Sequence, residues 1–151
     1  MIAVFDASAA VKLELDEPGS SQVEEVWRDR AVLVVAPAVV VPEVASAIAA
    51  ARRAGRLDPH QEAILQQRWF ERTQATLVVA VDPELANHAA ALARDRVIGG
   101  CDSLYVAVAR EIALTGDRPV GLVSFDARQR AAVRPGDGVA LIPASDHGDG
   151  L

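Results

Sequence analysis

Short, uninterrupted apolar runs alternate with stretches of helical periodicity along the whole chain, and this alternation confines it to the α/β class. Ile2 to Phe5, Val32 to Ala36, Pro119 to Ser124 and Val139 to Ile142 read as strands, and Leu77 to Val81 as a strand or extended segment. Most are apolar on successive residues, the pattern of strands covered on both faces. The intervening segments carry helix signals. A helix is predicted from Ala7 towards Leu15, and a second, capped by Ser20 or Ser21, presents Val23, Val26 and Trp27 on one face. An Ala-rich helix has Pro42 in its first turn, Val44, Ala47, Ile48 and Ala51 facing inward, and Gly55 as its stop. Asp58-Pro59 with Gln61 forms a capping-box pattern that opens a helix with Ile64, Leu65 and Trp69 as its buried stripe. Asp82-Pro83 starts another through about Arg96, with Leu85, His88, Ala89 and Leu92 sharing a face. A helix beginning near Asp102 carries Tyr105, Val108, Ala109 and Ile112 as far as Gly116. A short helix through Val133 and a turn at Pro135 to Gly138 precede the last strand. Strands joined through helices require right-handed crossovers. The expectation is therefore a three-layer α/β/α sandwich with a mostly parallel central sheet, a single domain over residues 1–143 followed by a flexible tail over 144–151.

A chain of 151 residues can bury roughly 70% of its unfolded surface as one domain. One cysteine, Cys101, excludes an internal disulfide framework and a multi-Cys zinc site, and is read as a small buried residue. His60, His88 and His147 have no metal-ligand spacing. Neither a leader-like start nor a membrane-length apolar run is seen, so a soluble, cytoplasmic protein is expected. The net charge of −6 argues against indiscriminate adhesion to nucleic acid, so any polyanion must meet a local basic surface. The candidates are Arg52, Arg53 and Arg56 at one helix end, with Arg94, Arg96, Arg128 and Arg130 near acidic helix starts. Trp27, Trp69 and Phe70 read as core or subunit-contact residues.

Four acids recur where strands or loops hand over to helices: Asp6, Glu43, Asp102 and Asp126. Each has a plain structural explanation as a cap or a first-turn acid. A capping role does not require convergence, yet in an open α/β sheet the carboxyl ends of the strands share one edge. Carboxylates gathered there repel one another, and a hard divalent cation is their natural counter-charge.

Four segments carry a family likeness: Val4-Phe5-Asp6-Ala7-Ser8, Val41-Pro42-Glu43-Val44-Ala45, Cys101-Asp102-Ser103-Leu104-Tyr105 with the apolar run after it, and Leu122-Val123-Ser124-Phe125-Asp126. In this order and spacing they resemble the PIN-domain ribonucleases, particularly the VapC-like toxins of toxin–antitoxin pairs, over nearly the whole chain. Ser103 and Ser124 depart slightly from the family, which more often has Ala and Thr there; neither departure removes an acid. The resemblance implies RNA hydrolysis dependent on Mg²⁺ or Mn²⁺, by in-line attack of activated water that leaves 5′-phosphate and 3′-hydroxyl ends. It implies Asp6, Asp102 and Asp126 as metal ligands, with Glu43 binding directly or through water. Ser8 and Ser124 would support ligands or phosphate, or serve structure alone. Implied partners are an RNA substrate, a VapB-like antitoxin covering the site and a second copy in a homodimer. Two rivals follow from the same residues. Asp6 could be the nucleophile of a haloacid-dehalogenase-like phosphatase, although Ser8 stands where that family has a second Asp. The chain could also be a non-catalytic PIN-like protein-binding module.

Overall fold

The computed structural model of the chain describes residues 1–143; the tail expected over 144–151 lies outside them. Five strands form one parallel sheet: β1 (Ile2–Phe5), β2 (Leu33–Pro37), β3 (Leu77–Val79), β4 (Val120–Val123) and β5 (Val139–Ile142). Their spatial order is β3-β2-β1-β4-β5, with every neighbouring pair parallel. The first strand in sequence is thus the centre of the sheet. The order reverses direction at β1, and the crevice beside the carboxyl ends of β1 and its neighbours is where open α/β sheets place their sites.

Among the described residues seven α-helices connect and cover the strands: α1 (Ala7–Lys12), α2 (Ser20–Arg28), α3 (Val40–Arg53), α4 (Pro59–Gln74), α5 (Pro83–Arg96), α6 (Gly100–Thr115) and α7 (Ala127–Ala132). Alternation along the strands divides the core. Val4, Val120 and Leu122 join residues of α3, α5 and α6 in the larger cluster, while Ala3, Phe5 and Val123 pack with Ala9, Leu13 and Val23 in the smaller one. On the second side Phe5 meets the edge of Trp27, with ring centroids 6.0 Å apart.

The capping box of α4 forms as expected, with Asp58 accepting from Gln61 N and Gln61 accepting from Asp58 N, both at 2.8 Å. Asp82 likewise caps α5. Other expectations need correction. Helix α1 ends at Lys12 rather than near Leu15. Ser20 does not cap α2, which instead follows Gly19 at φ 93°; Ser20 Oγ donates to Leu15 O and accepts from Glu17 N, pinning the connecting loop. Ile64 is 49% exposed, because α4 lies mainly against α3 and needs only a narrow stripe built on Leu65 and Trp69. His88 is exposed rather than inward: α5 meets its neighbours through Leu85, Ala89 and Leu92, leaving His88 at the margin, 2.5 Å from Glu111 of α6. Cys101 is exposed, since the first turn of α6 stands clear of the core. Phe70 is exposed too, whereas Trp69 is buried and its indole donates to Val41 O.

Away from the sheet's reactive edge, a polar clamp joins α4 to the end of α1. The Glu14 carboxylate is wholly buried and receives Arg68 Nε at 2.6 Å and Arg72 Nε at 2.8 Å. Burial raises its pKa, and the two guanidiniums oppose that rise. Arg72 also lies over the Trp27 ring, 5.0 Å from its centroid, linking α4 to α2.

Candidate active site

Parallel pairing sets Phe5 opposite Val123, so the next residues, Asp6 and Ser124, leave adjacent strand ends side by side. Asp6 caps α1 and accepts from Ala9 N at 2.7 Å. Ser8 Oγ donates to the same carboxylate, and Ser124 Oγ lies 2.5 Å from its Oδ2. Asp6 is only 3% exposed, and none of these partners is a cation. Its pKa is pushed up to about 6, first by desolvation and lastly by the charge of Asp126; the hydrogen bonds from Ser124, Ala9 and Ser8 oppose the rise.

Proton counting agrees with that direction. Ser124 Oγ has a single hydrogen but two oxygen neighbours, Asp6 Oδ2 and Gln129 Oε1, the latter at 2.9 Å. It also accepts from Asp126 N. With Asp6 protonated, its hydroxyl donates to Ser124, which donates to Gln129, and every group is satisfied. With Asp6 ionised, the Ser124 proton turns to the carboxylate and Gln129 Oε1 loses its donor. A positive charge near Asp6 would favour the second arrangement.

The other acids reach this edge by different routes. Asp126 caps α7, accepting from Arg128 N and Gln129 N. Glu43 lies in the first turn of α3 and accepts the phenol proton of Tyr105, itself buried. Burial and then Glu43 push the Tyr105 pKa upward, so the phenol stays protonated and donates to Glu43. Glu43 and Asp126 line one open cleft of about 400 Å³ together with Ser8, Lys12, Glu17 and Phe125. Asp102 lies in the first turn of α6 and is not its N-cap, which is Gly99. Its carboxylate folds back over Gly99, where an added Cβ would come within 2.7 Å of Oδ2. Gln129 Nε2 donates to the Asp102 carbonyl at 3.0 Å and ties that turn to the Asp6–Ser124 unit. The Cys101 thiol is pushed up by desolvation, then by Glu43 and Asp102, so it stays protonated and is no thiolate nucleophile.

The expected gathering of acids is therefore an open one. Asp6 and Asp126 are electrostatic neighbours and Glu43 shares a cleft with Asp126, but among the described residues no three His, Cys, Asp or Glu side chains are disposed to hold a metal ion. What fits a hard divalent cation is the donor chemistry: carboxylate oxygens, and a buried Asp6 charge without a positive partner.

Most of the arginines expected to meet RNA are engaged elsewhere. Arg96 is buried and grips Asp137 through both terminal nitrogens. Arg130 donates to the Ser124 and Pro143 carbonyls, Arg52 pairs with Glu62, and Arg56 pairs with Glu17. Arg53, Arg94 and Arg128 are exposed and form no ion pair among the described residues. Two site residues escape a reading of sequence. Gln129 stands three residues after a helix-capping Asp, the same spacing as Gln61 after Asp58, yet turns inward instead of back to its cap. Lys12, the chain's sole lysine, gives its one signal by being unlike the other basic residues.

A family model described as the PIN domain matches residues 3–134. Ribonuclease VapC45 of Mycobacterium tuberculosis (strain CDC 1551 / Oshkosh) is 33% identical over 124 residues, spanning 82% of this chain and 83% of that protein. Among solved structures, PAE2754 from Pyrobaculum aerophilum superposes with a TM-score of 0.66 at 19% identity, over 95% of this chain and 93% of that one. A toxin–antitoxin complex from Klebsiella pneumoniae does so with a TM-score of 0.59 at 16% identity, over 91% and 95%.

Proposed function

The chain belongs to the PIN-domain family, among its VapC-type ribonucleases, and on that footing we propose that it is the toxin of a toxin–antitoxin pair that hydrolyses RNA at the cleft beside β1 and β4. The supporting observation is Asp6, a desolvated carboxylate whose protein partners are all neutral, set beside Asp126 at adjoining strand ends. Mg²⁺, with Mn²⁺ as a substitute, is the proposed cofactor. Asp6, Asp102 and Asp126 are its proposed ligands, and Glu43 binds it directly or through water. When bound, such a cation supplies positive charge at a phosphodiester and acidifies the attacking water.

The chain's own residues prepare for that role. Ser8 and Ser124 fix the direction of the Asp6 carboxylate, and Tyr105 fixes that of Glu43. Gln129 braces Ser124 and the turn bearing Asp102 as a single unit. Ser8 occupies the position two residues beyond Asp6 as a hydrogen-bond donor, so nothing in the arrangement favours the phosphatase alternative. The proposed partners are an RNA substrate, a VapB-like antitoxin over the cleft and a second copy of the chain.

The test is cleavage of RNA by the purified, partner-free protein, with end sequencing of the products. Activity requires Mg²⁺ or Mn²⁺ and ceases with EDTA, and Asp6→Asn and Asp102→Asn abolish it without unfolding the domain. Full cleavage by both variants would overturn the ligand assignment.

A further inference from the structure

We propose that Lys12 is the residue that holds a substrate phosphate in the cleft, an inference that rests on the ribonuclease reading above. The sequence directs attention to arginines, of which the chain has many, but the cleft shared by Glu43 and Asp126 is lined, among the described residues, by one basic side chain, and it is the only lysine of the chain. Its position follows from the fold: Asp6 starts α1, and one helix of six residues later Lys12 ends it. The two residues lie at opposite ends of the same short rod.

The arrangement pairs the ammonium charge only weakly. Its ion-pair partner Glu17 is 3.5 Å away, well beyond the roughly 2.7–2.9 Å of a strong charge-assisted bond. Glu17 has a closer cation in Arg56, at 3.1 Å. Glu17 is thus shared between two cations, and the remaining acids of the cleft, Glu43 and Asp126, form no ion pair with Lys12 among the described residues. The side chain is nevertheless confined, being 13% exposed, with its Nζ 4.8 Å from the centroid of the Phe125 ring. That ring is fixed in turn. Phe125 N donates to Ser8 Oγ at 2.9 Å, and the ring presses on Gly19, where a Cβ would come within 2.5 Å of it. A positive charge held over a fixed ring, weakly paired and facing acids, suits a polyanion whose reacting phosphate lies among those acids. An ammonium serves here as a compact point charge with three donors.

The test is RNA binding by metal-free protein, so that no cleavage confuses the reading. Wild type, Lys12→Met, Lys12→Arg and the surface control Arg30→Met are titrated in EDTA into a 5′-labelled single-stranded oligoribonucleotide at several salt concentrations and followed by anisotropy. Lys12→Met keeps the apolar stem, and thermal melting checks its fold. The expected result is about tenfold weaker binding by Lys12→Met. Its slope of log affinity against log salt should become shallower by about 0.7, one single-strand phosphate contact. Lys12→Arg retains the slope, and Arg30→Met matches wild type. Should Lys12→Met not fold, Lys12→Gln, checked by the same melt, is read by the same criterion: a slope one contact below wild type supports the assignment, and a wild-type slope overturns it. Wild-type affinity and slope in a folded Lys12→Met, with wild-type protein still cleaving RNA, overturns the Lys12 assignment alone. A wild-type protein that neither binds nor cleaves RNA brings down the ribonuclease reading and this one with it.

Discussion

Asp6 illustrates how a single side chain can weaken the fold that displays it. Its pKa rises from 3.8 to about 6 on folding in the absence of a cation. A carboxyl raised in this way adds stability below its unfolded pKa, and that contribution is lost as pH climbs through about 6. Around neutral pH the ionised group thus costs up to about 3 kcal/mol. Asp6→Asn removes the charge, and its amide can donate to Ser124 while its carbonyl accepts from Ala9. In EDTA at pH 7 the variant is expected to melt above wild type, by about 1 kcal/mol or more, with the gap closing as pH falls towards 4. A melting temperature clearly below wild type at pH 7 would refute the desolvation argument. Ser124→Ala should act oppositely: it strips the Asp6 carboxylate, Gln129 and the Asp126 amide of one shared partner. A loss of about 2 kcal/mol is expected in urea unfolding.

At the level of elements, the features most visible in sequence are those set by neighbours close along the chain. Asp58-Pro59 with Gln61, and Asp82-Pro83, mark the starts of α4 and α5 correctly because a cap is a bond between residues three apart. Four of the five strands are visible through their apolar runs to within one residue at each end and β3 to within two, inside the usual margin for element ends. β3 is shorter than its run, since as an edge strand it pairs only with β2 and ends where that pairing ends. The faces of α4 and α5 are less visible, because periodicity marks a stripe without saying how wide a neighbour will cover it. The periodicity puts Ile64 in the buried stripe of α4 and His88 on the shared face of α5, and both lie outward. The Glu14 clamp was equally hidden, its partners being 54 and 58 residues away. Arg72→Met should cost about 1–3 kcal/mol by leaving the buried Glu14 with Arg68 alone. Arg28→Met, which removes an exposed pair within α2, should change stability by less than about 0.5 kcal/mol. Equal effects in chemical denaturation would show that the clamp is no stronger than a surface pair.

Across the whole molecule, topology rather than local sequence determines which residues meet. The order β3-β2-β1-β4-β5 puts the ends of β1 and β4 together, and the parallel pairing predicted from sequence was enough to expect Asp6 near Asp126. How closely the four acids approach depends on side-chain directions, which strand and helix patterns do not encode; Asp102 turning back over Gly99 is the clearest instance. If a divalent cation completes the site, binding must stabilise the entire fold. At about a hundred times its dissociation constant Mg²⁺ should raise the melting temperature by about 8 °C, and Asp6→Asn should abolish the rise. The hydrogen bond from Ser124 to Asp6 spans 118 positions, which has a bearing on synthesis. A ribosome making this protein releases the central strand more than a hundred residues before the neighbour that completes the cleft. Polypeptides cut short before Ser124 would therefore lack the completed cleft, and a cell translating a damaged message would be spared nuclease from the fragments.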